Sequence, residues 1–169
     1  MSLLRDKYGV MVVGTVVSLV LDQVTKAAII AHFPQGGNLP IIQGFFELFH
    51  THNYAAAFGL FGGNTRVFFL IVSALAIGFI GFYFYRLQRH DLWLATALAL
   101  ILGGALGNMI DRVRHGFVID FIRFYLGQWS WPTFNFADIF IVSGVTMFAI
   151  DMIRSERQAR EKDATRETS

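Results

Sequence analysis

The chain has 169 residues, of which 54% are hydrophobic and only 15% charged, and its mean hydropathy is +0.51. Soluble domains carry about 25% charged residues; here the apolar excess lies in long runs, which points to an integral membrane protein. The absence of cysteine excludes disulfides, a thiolate nucleophile, cysteine-ligated metal and lipidation of the chain's own cysteine, and a net charge of +2 with locally grouped basic residues gives no nucleic-acid signature.

The first apolar run covers residues 9–31, long enough to cross a bilayer of about 30 Å. A basic start makes a cleaved signal peptide the rival reading. No A-x-A site follows the run, and Asp22 and Lys26 interrupt it, so a retained helix is favoured. Asp22 and Lys26 stand four residues apart and share a helix face. Paired, they are tolerable in lipid, and the pairing favours a structural role over direct chemistry.

Residues 32–66 do not span. FPQGGNLP is rich in turn formers, and IIQGFFELFHTHN mixes polar with large apolar residues, which suits short strands or an amphipathic surface segment. His50-x-His52 has metal-compatible spacing, but no third ligand is evident, so no metal is assigned. No cofactor is implied either.

The second run, residues 67–85, is followed by a short basic turn. The third, residues 92–110, contains Gly103-x-x-x-Gly107, a spacing that lets helices approach closely. Asn108 and Asp111 close it on one face. Residues 112–134 leave the bilayer with an aromatic-rich stretch suited to an interfacial belt. The fourth run, residues 136–153, opens with Asn135 and Asp138 beside it. The charged tail, residues 154–169, is expected to fray. The fold class is therefore a single all-α membrane domain of four transmembrane helices, with a small extracytoplasmic β or amphipathic segment between the first two.

Four crossings put both termini on the side of the 86–91 turn. That side carries nine basic residues and the other four, Arg66, Arg112, Arg114 and Arg123. The positive-inside rule then places the termini in the cytoplasm and Asp111, Asp120 and Asp138 at the outer face.

Asp120 and Asp138 are 18 positions apart on separate segments. Brought together, two carboxylates tend to share one proton, so that one serves as general base toward water and the other as general acid toward a leaving amine. Peptide hydrolysis by other routes is poorly supplied: no H-E-x-x-H exists, and nothing around Ser18 or Ser73 makes a nucleophile for Lys26. From spacing alone, Asp120 is equally readable as a solvated loop carboxylate and Asp138 as a charge favoured by a helix N-terminus.

The words LDQVTKA (21–27), NYAAAF (53–58), GGALGNMIDRVRHGFVIDFI (103–122) and FNFADIFI (134–141) together resemble the lipoprotein signal peptidases, the type II signal peptidases of bacteria. The resemblance implies four transmembrane helices and a multi-pass protein of the bacterial inner membrane. It further implies an aspartic endopeptidase that cuts prolipoproteins before a diacylglyceryl-modified cysteine. It maps the catalytic pair onto Asp120 and Asp138, and places Asn53, Asn108, Asp111, Arg112 and Asn135 around the site. Asp22 and Lys26 match the polar pair of the first helix. Expected partners are diacylglyceryl-prolipoproteins, membrane lipids and globomycin-type inhibitors; the expected state is a monomer. Ala55 stands where the family has glycine, which bears on a backbone needing positive φ. The rival classes are a proton- or ion-coupled transporter, a non-enzymatic scaffold joined through Gly103-x-x-x-Gly107, and a headgroup transferase. The first is disfavoured because the acids cluster at one side, the last because its metal motif is missing.

Overall fold

Four stretches are apolar and long enough to span a membrane, and in the computed structural model, which describes residues 6–54 and 65–167, each is a helix. They are α1 (Lys7–His32), α2 (Thr65–Arg86), α3 (Leu92–His115) and α4 (Phe136–Glu167). Strands β1 (Asn38–Ile42) and β2 (Phe46–Asn53) follow α1, and β3 (Val118–Leu126) and β4 (Trp129–Ser130) follow α3.

The helices are inside-out relative to a soluble bundle. Val12, Val16, Val20 and Val24 of α1 and Leu75, Phe79 and Phe82 of α2 are exposed, whereas Ser18, Asp22, Lys26, Asn108 and Asp111 are buried. That distribution suits a hydrocarbon solvent, in which polar groups must find partners within the protein. The central helix is α3: 56% of its apolar window is buried, against 6% for α2. Small residues permit its close packing. A Cβ at Gly103 would come within 2.6 Å of the Ser18 Cβ on α1, and one at Gly104 would run into the Ala137 carbonyl on α4. The Gly103-x-x-x-Gly107 spacing thus serves helix contacts inside the chain.

Local chemistry sets the helix ends. Asp6 caps α1, accepting from the amides of Tyr8 and Gly9. The buried Lys7 ammonium donates to the Phe84 and Leu87 carbonyls at 2.9 and 2.6 Å, satisfying the otherwise orphaned end of α2. Helix α3 runs five residues past the expected end at 110. It stops where Gly116 takes the left-handed conformation, at φ 84°, and donates to the Arg112 carbonyl. The tail expected to fray is helical through Glu167. Its Arg, Glu, Gln, Lys and Ala are strong helix formers, and Glu156 pairs with Arg160 one turn on.

The β segment expected between the first two helices is there, but it is half of a sheet. Strands pair antiparallel in the order β1-β2-β3-β4, so the aromatic stretch after α3, expected as an interfacial belt, completes the sheet. Residues distant in sequence come into register: Thr51 faces Asp120 and Asn53 faces Val118. A cluster of Ile29, Ile119, Phe121 and Ile122, extended by Phe33, Phe117 and Phe136, seats the sheet on the ends of α1 and α4.

Candidate active site

Two polar networks lie under the sheet. The first joins α1 to α3. Lys26 Nζ sits 2.9 Å from Asp22 and 2.8 Å from Asp111, with all three side chains buried. Asp22 also accepts from the Ala137 amide at 3.0 Å, and Asp111 from the Ile119 amide at 3.2 Å, one residue before Asp120. Gln23 joins the two carboxylates, donating at 3.2 and 3.1 Å. Every charge here is paired and hydrogen-bonded, the condition under which buried ions are tolerated.

The second network holds Asp120 and Asp138, and its donors are neutral. Asp120 lies on β3 and is 2% exposed, so the solvated loop reading does not hold. Its two oxygens accept from the Asn135 amide at 2.7 Å and the Asn53 amide at 2.9 Å. Asp138 accepts from the Asn108 amide at 2.8 Å and from the Asn135 backbone at 3.1 Å. Asn135 returns the last bond, its side-chain oxygen accepting from the Asp138 amide at 3.0 Å. This is a capping box that fixes the first turn of α4. The helix-terminus reading of Asp138 is therefore correct as geometry and leaves its second oxygen to Asn108.

The amide orientations follow from groups that can only donate. Lys26 donates to the Asn108 oxygen at 3.0 Å, which turns the Asn108 NH₂ toward Asp138. Likewise the Asp138 amide takes the Asn135 oxygen, which turns the Asn135 NH₂ toward Asp120. Asn108 thus links the two networks. Burial first, and then the negative charge of Asp138, push the Asp120 carboxyl up to about 7, against the downward pull of the Asn53 and Asn135 amides. A carboxyl in that range can hold a proton at neutral pH and give it up during a reaction.

All the residues singled out in the sequence converge on one end of the bundle. Asn53, Asn108 and Asn135 touch the two aspartates directly, whereas Asp111 belongs to the Lys26 network. Arg112 bonds back to the Asn108 carbonyl at 3.2 Å and lies 4.8 Å from the Phe69 ring of α2. Gln23 escaped sequence reasoning; its place beside Asp22 was the available signal. Ala55 lies outside the described residues. Among the described residues no group of three or more His, Asp or Glu could hold a metal ion.

Asp138 is half-buried at the head of a groove of about 430 Å³ along α4, lined by Trp131, Phe134, Ile139, Val142 and Ser143. Apart from Asp138 and Ser143 the lining is aromatic and aliphatic.

Residues 14–154 match the family model described as Signal peptidase (SPase) II. The lipoprotein signal peptidase of Geobacter sulfurreducens is 46% identical over 143 residues, covering 83% of this chain and 89% of that protein. That of Syntrophus aciditrophicus is 42% identical over 144 residues, covering 83% and 89%. A solved bacterial membrane enzyme superposes with a TM-score of 0.79 at 31% identity, over 85% of this chain and 92% of that one.

Proposed function

The chain belongs to the signal peptidase II family, and on that premise we propose that Asp120 and Asp138 form the catalytic pair of an aspartic endopeptidase. It is a multi-pass protease of the bacterial inner membrane that removes signal peptides from prolipoproteins. The bond cut is the one before a diacylglyceryl-modified cysteine. The termini face the cytoplasm and the sheet end faces outward, a reading supported by the excess of basic residues at the turn and tail end.

The observation that carries the assignment is the pair of carboxylates held by neutral amides beside an apolar groove. Below about pH 7 Asp120 carries the shared proton. Asp138, in the first turn of α4 where the helix dipole favours negative charge, takes a proton from water. The resulting hydroxide adds to the scissile carbonyl, whose oxygen receives the Asp120 proton. Collapse of the tetrahedral species expels the amine, which is protonated from the Asp138 carboxyl, and Asp120 recovers the remaining hydroxyl proton as the new carboxylic acid forms. The signal peptide lies against the apolar helices and the cleavage point sits at the depth of Asp138. Asn53, Asn108 and Asn135 aim the carboxylates without neutralising them. Globomycin-type inhibitors compete for the same groove, and one chain suffices for the reaction.

Purified enzyme in detergent, given a diacylglyceryl-prolipoprotein, is expected to release the signal peptide. Asp120→Asn and Asp138→Asn, folded by gel filtration, are expected to release none, and release by either at the wild-type rate would refute the pair.

A further inference from the structure

His52 precedes Asn53, whose amide holds Asp120, and the His52 ring is stacked on Phe117 at 3.8 Å with an interplanar angle of 15°. His115, at the end of α3, stacks on the same Phe117 at 5.6 Å. His50 lies 5.0 Å from His52 along β2. Three imidazoles and one phenyl ring thus join β2 to the α3–β3 corner. Strand alternation puts His52, paired with Ile119, on the sheet face opposite Asp120, so the stack acts on the dyad through the backbone of Asn53.

We propose that His52 is a positioning residue whose neutral ring, clamped on Phe117, keeps Asn53 on Asp120, and that protonation of the cluster releases this hold. The proposal rests on the dyad reading above. Phe117 stacks with both His52 and His115; like charges placed around it repel. The titratable groups facing His52 are His50 on its own strand and His115 from α3, with the Tyr54 ring 6.4 Å away. Arg112 and Arg114 share the last turn of α3 with His115, and Arg66 bonds to the Val113 carbonyl there. Asp120 is the acid on the neighbouring strand and is turned to the other face. Among the described residues none of the three imidazoles forms an ion pair that would welcome a proton. In keeping with this geometry, burial and then the charges of His50 and His115 hold His52 below its ordinary value of 6.5.

The test is the pH profile of kcat/KM on a diacylglyceryl-prolipoprotein, read as the ratio of rates at pH 7.5 and pH 5.0. His52→Phe keeps the stack and removes the proton site. Its ratio is expected to be smaller than that of wild type, because no imidazole remains at residue 52 to take up a proton at pH 5.0. His115→Phe removes one facing charge and is expected to move the acid limb to higher pH. Equal ratios in wild type and His52→Phe overturn the proposal, as does a shift of the His115→Phe limb to lower pH. Independently of any variant, imidazole NMR of the full chain in micelles is expected to show His52 titrating below 6.5, and a midpoint at or above that value overturns it. Failure of wild type to cleave at any pH would instead sink the protease reading.

Discussion

The two polar networks differ in one respect that separates holding the fold from doing chemistry. Around Lys26 the carboxylates of Asp22 and Asp111 share one ammonium, which ties both of them in place. Around Asp120 and Asp138 the donors are the amides of Asn53, Asn108 and Asn135, which fix direction and leave the charge in place. Burial and the neighbouring Asp138 charge raise the Asp120 carboxyl to about 7, which readies it to exchange a proton. Two acidic pairs in the same low-dielectric setting thereby acquire different uses, and Asn108 ties the position of one to the other.

The comparison is broken most severely by removing the neutralising charge. Lys26→Met leaves two buried carboxylates unpaired, and breaking a buried pair costs roughly 3–5 kcal/mol. The expected outcome is loss of folded protein, seen as aggregation on gel filtration in detergent. Gly107→Leu attacks the same joint sterically, because a side chain there meets the Asp22 carboxylate, and is expected to fail in the same way. On the other side of the comparison, Asn53→Ala should fold and lose rate. One hydrogen bond to a charged group is worth roughly 1.5–3 kcal/mol, or about 10- to 100-fold in kcat/KM.

A milder probe is pH. The Asp120 carboxyl is raised to about 7, so its proton is present below that value and lost above it. Cleavage is therefore expected to decline as pH rises through about 7, about tenfold per unit once beyond it. The same shift means the folded state binds more protons than the unfolded one between the ordinary carboxylate range and 7. Asp120 thus costs increasing stability as pH rises across that window. The smallest effect is expected at Glu156→Gln. It breaks an exposed pair with Arg160 far from either network and should change stability by less than about 0.5 kcal/mol.

The four helices were legible because span length and hydropathy are local properties. Asp22 and Lys26 were legible as a pair because helical spacing is local too. Their third member, Asp111, was not, since it reaches Lys26 only through the packing of α1 on α3 at Gly103 and Gly107. For the same reason the sheet was seen by half: β2 and β3 are joined by a register that no local pattern carries. Asp120 read from its neighbours is a loop acid, and only the closing of β3 against β2 and the Asn135 turn buries it. The resemblance pointed to Asp120 and Asp138 more sharply than spacing did. What neither supplied is the logic of the amides, which depends on Lys26 and the α4 capping box fixing which way each asparagine faces.

The most direct test of two carboxylates acting as one unit is the single-turnover cleavage rate of three folded variants, Asp120→Asn, Asp138→Asn and the double substitution, on a diacylglyceryl-prolipoprotein at pH 7. Groups that act together are non-additive, so each single substitution is predicted to drop the rate to the same floor as the double, roughly 10³-fold or more below wild type. A single variant that cleaves within about tenfold of wild type, or a double whose loss is the product of the two singles, would contradict the account.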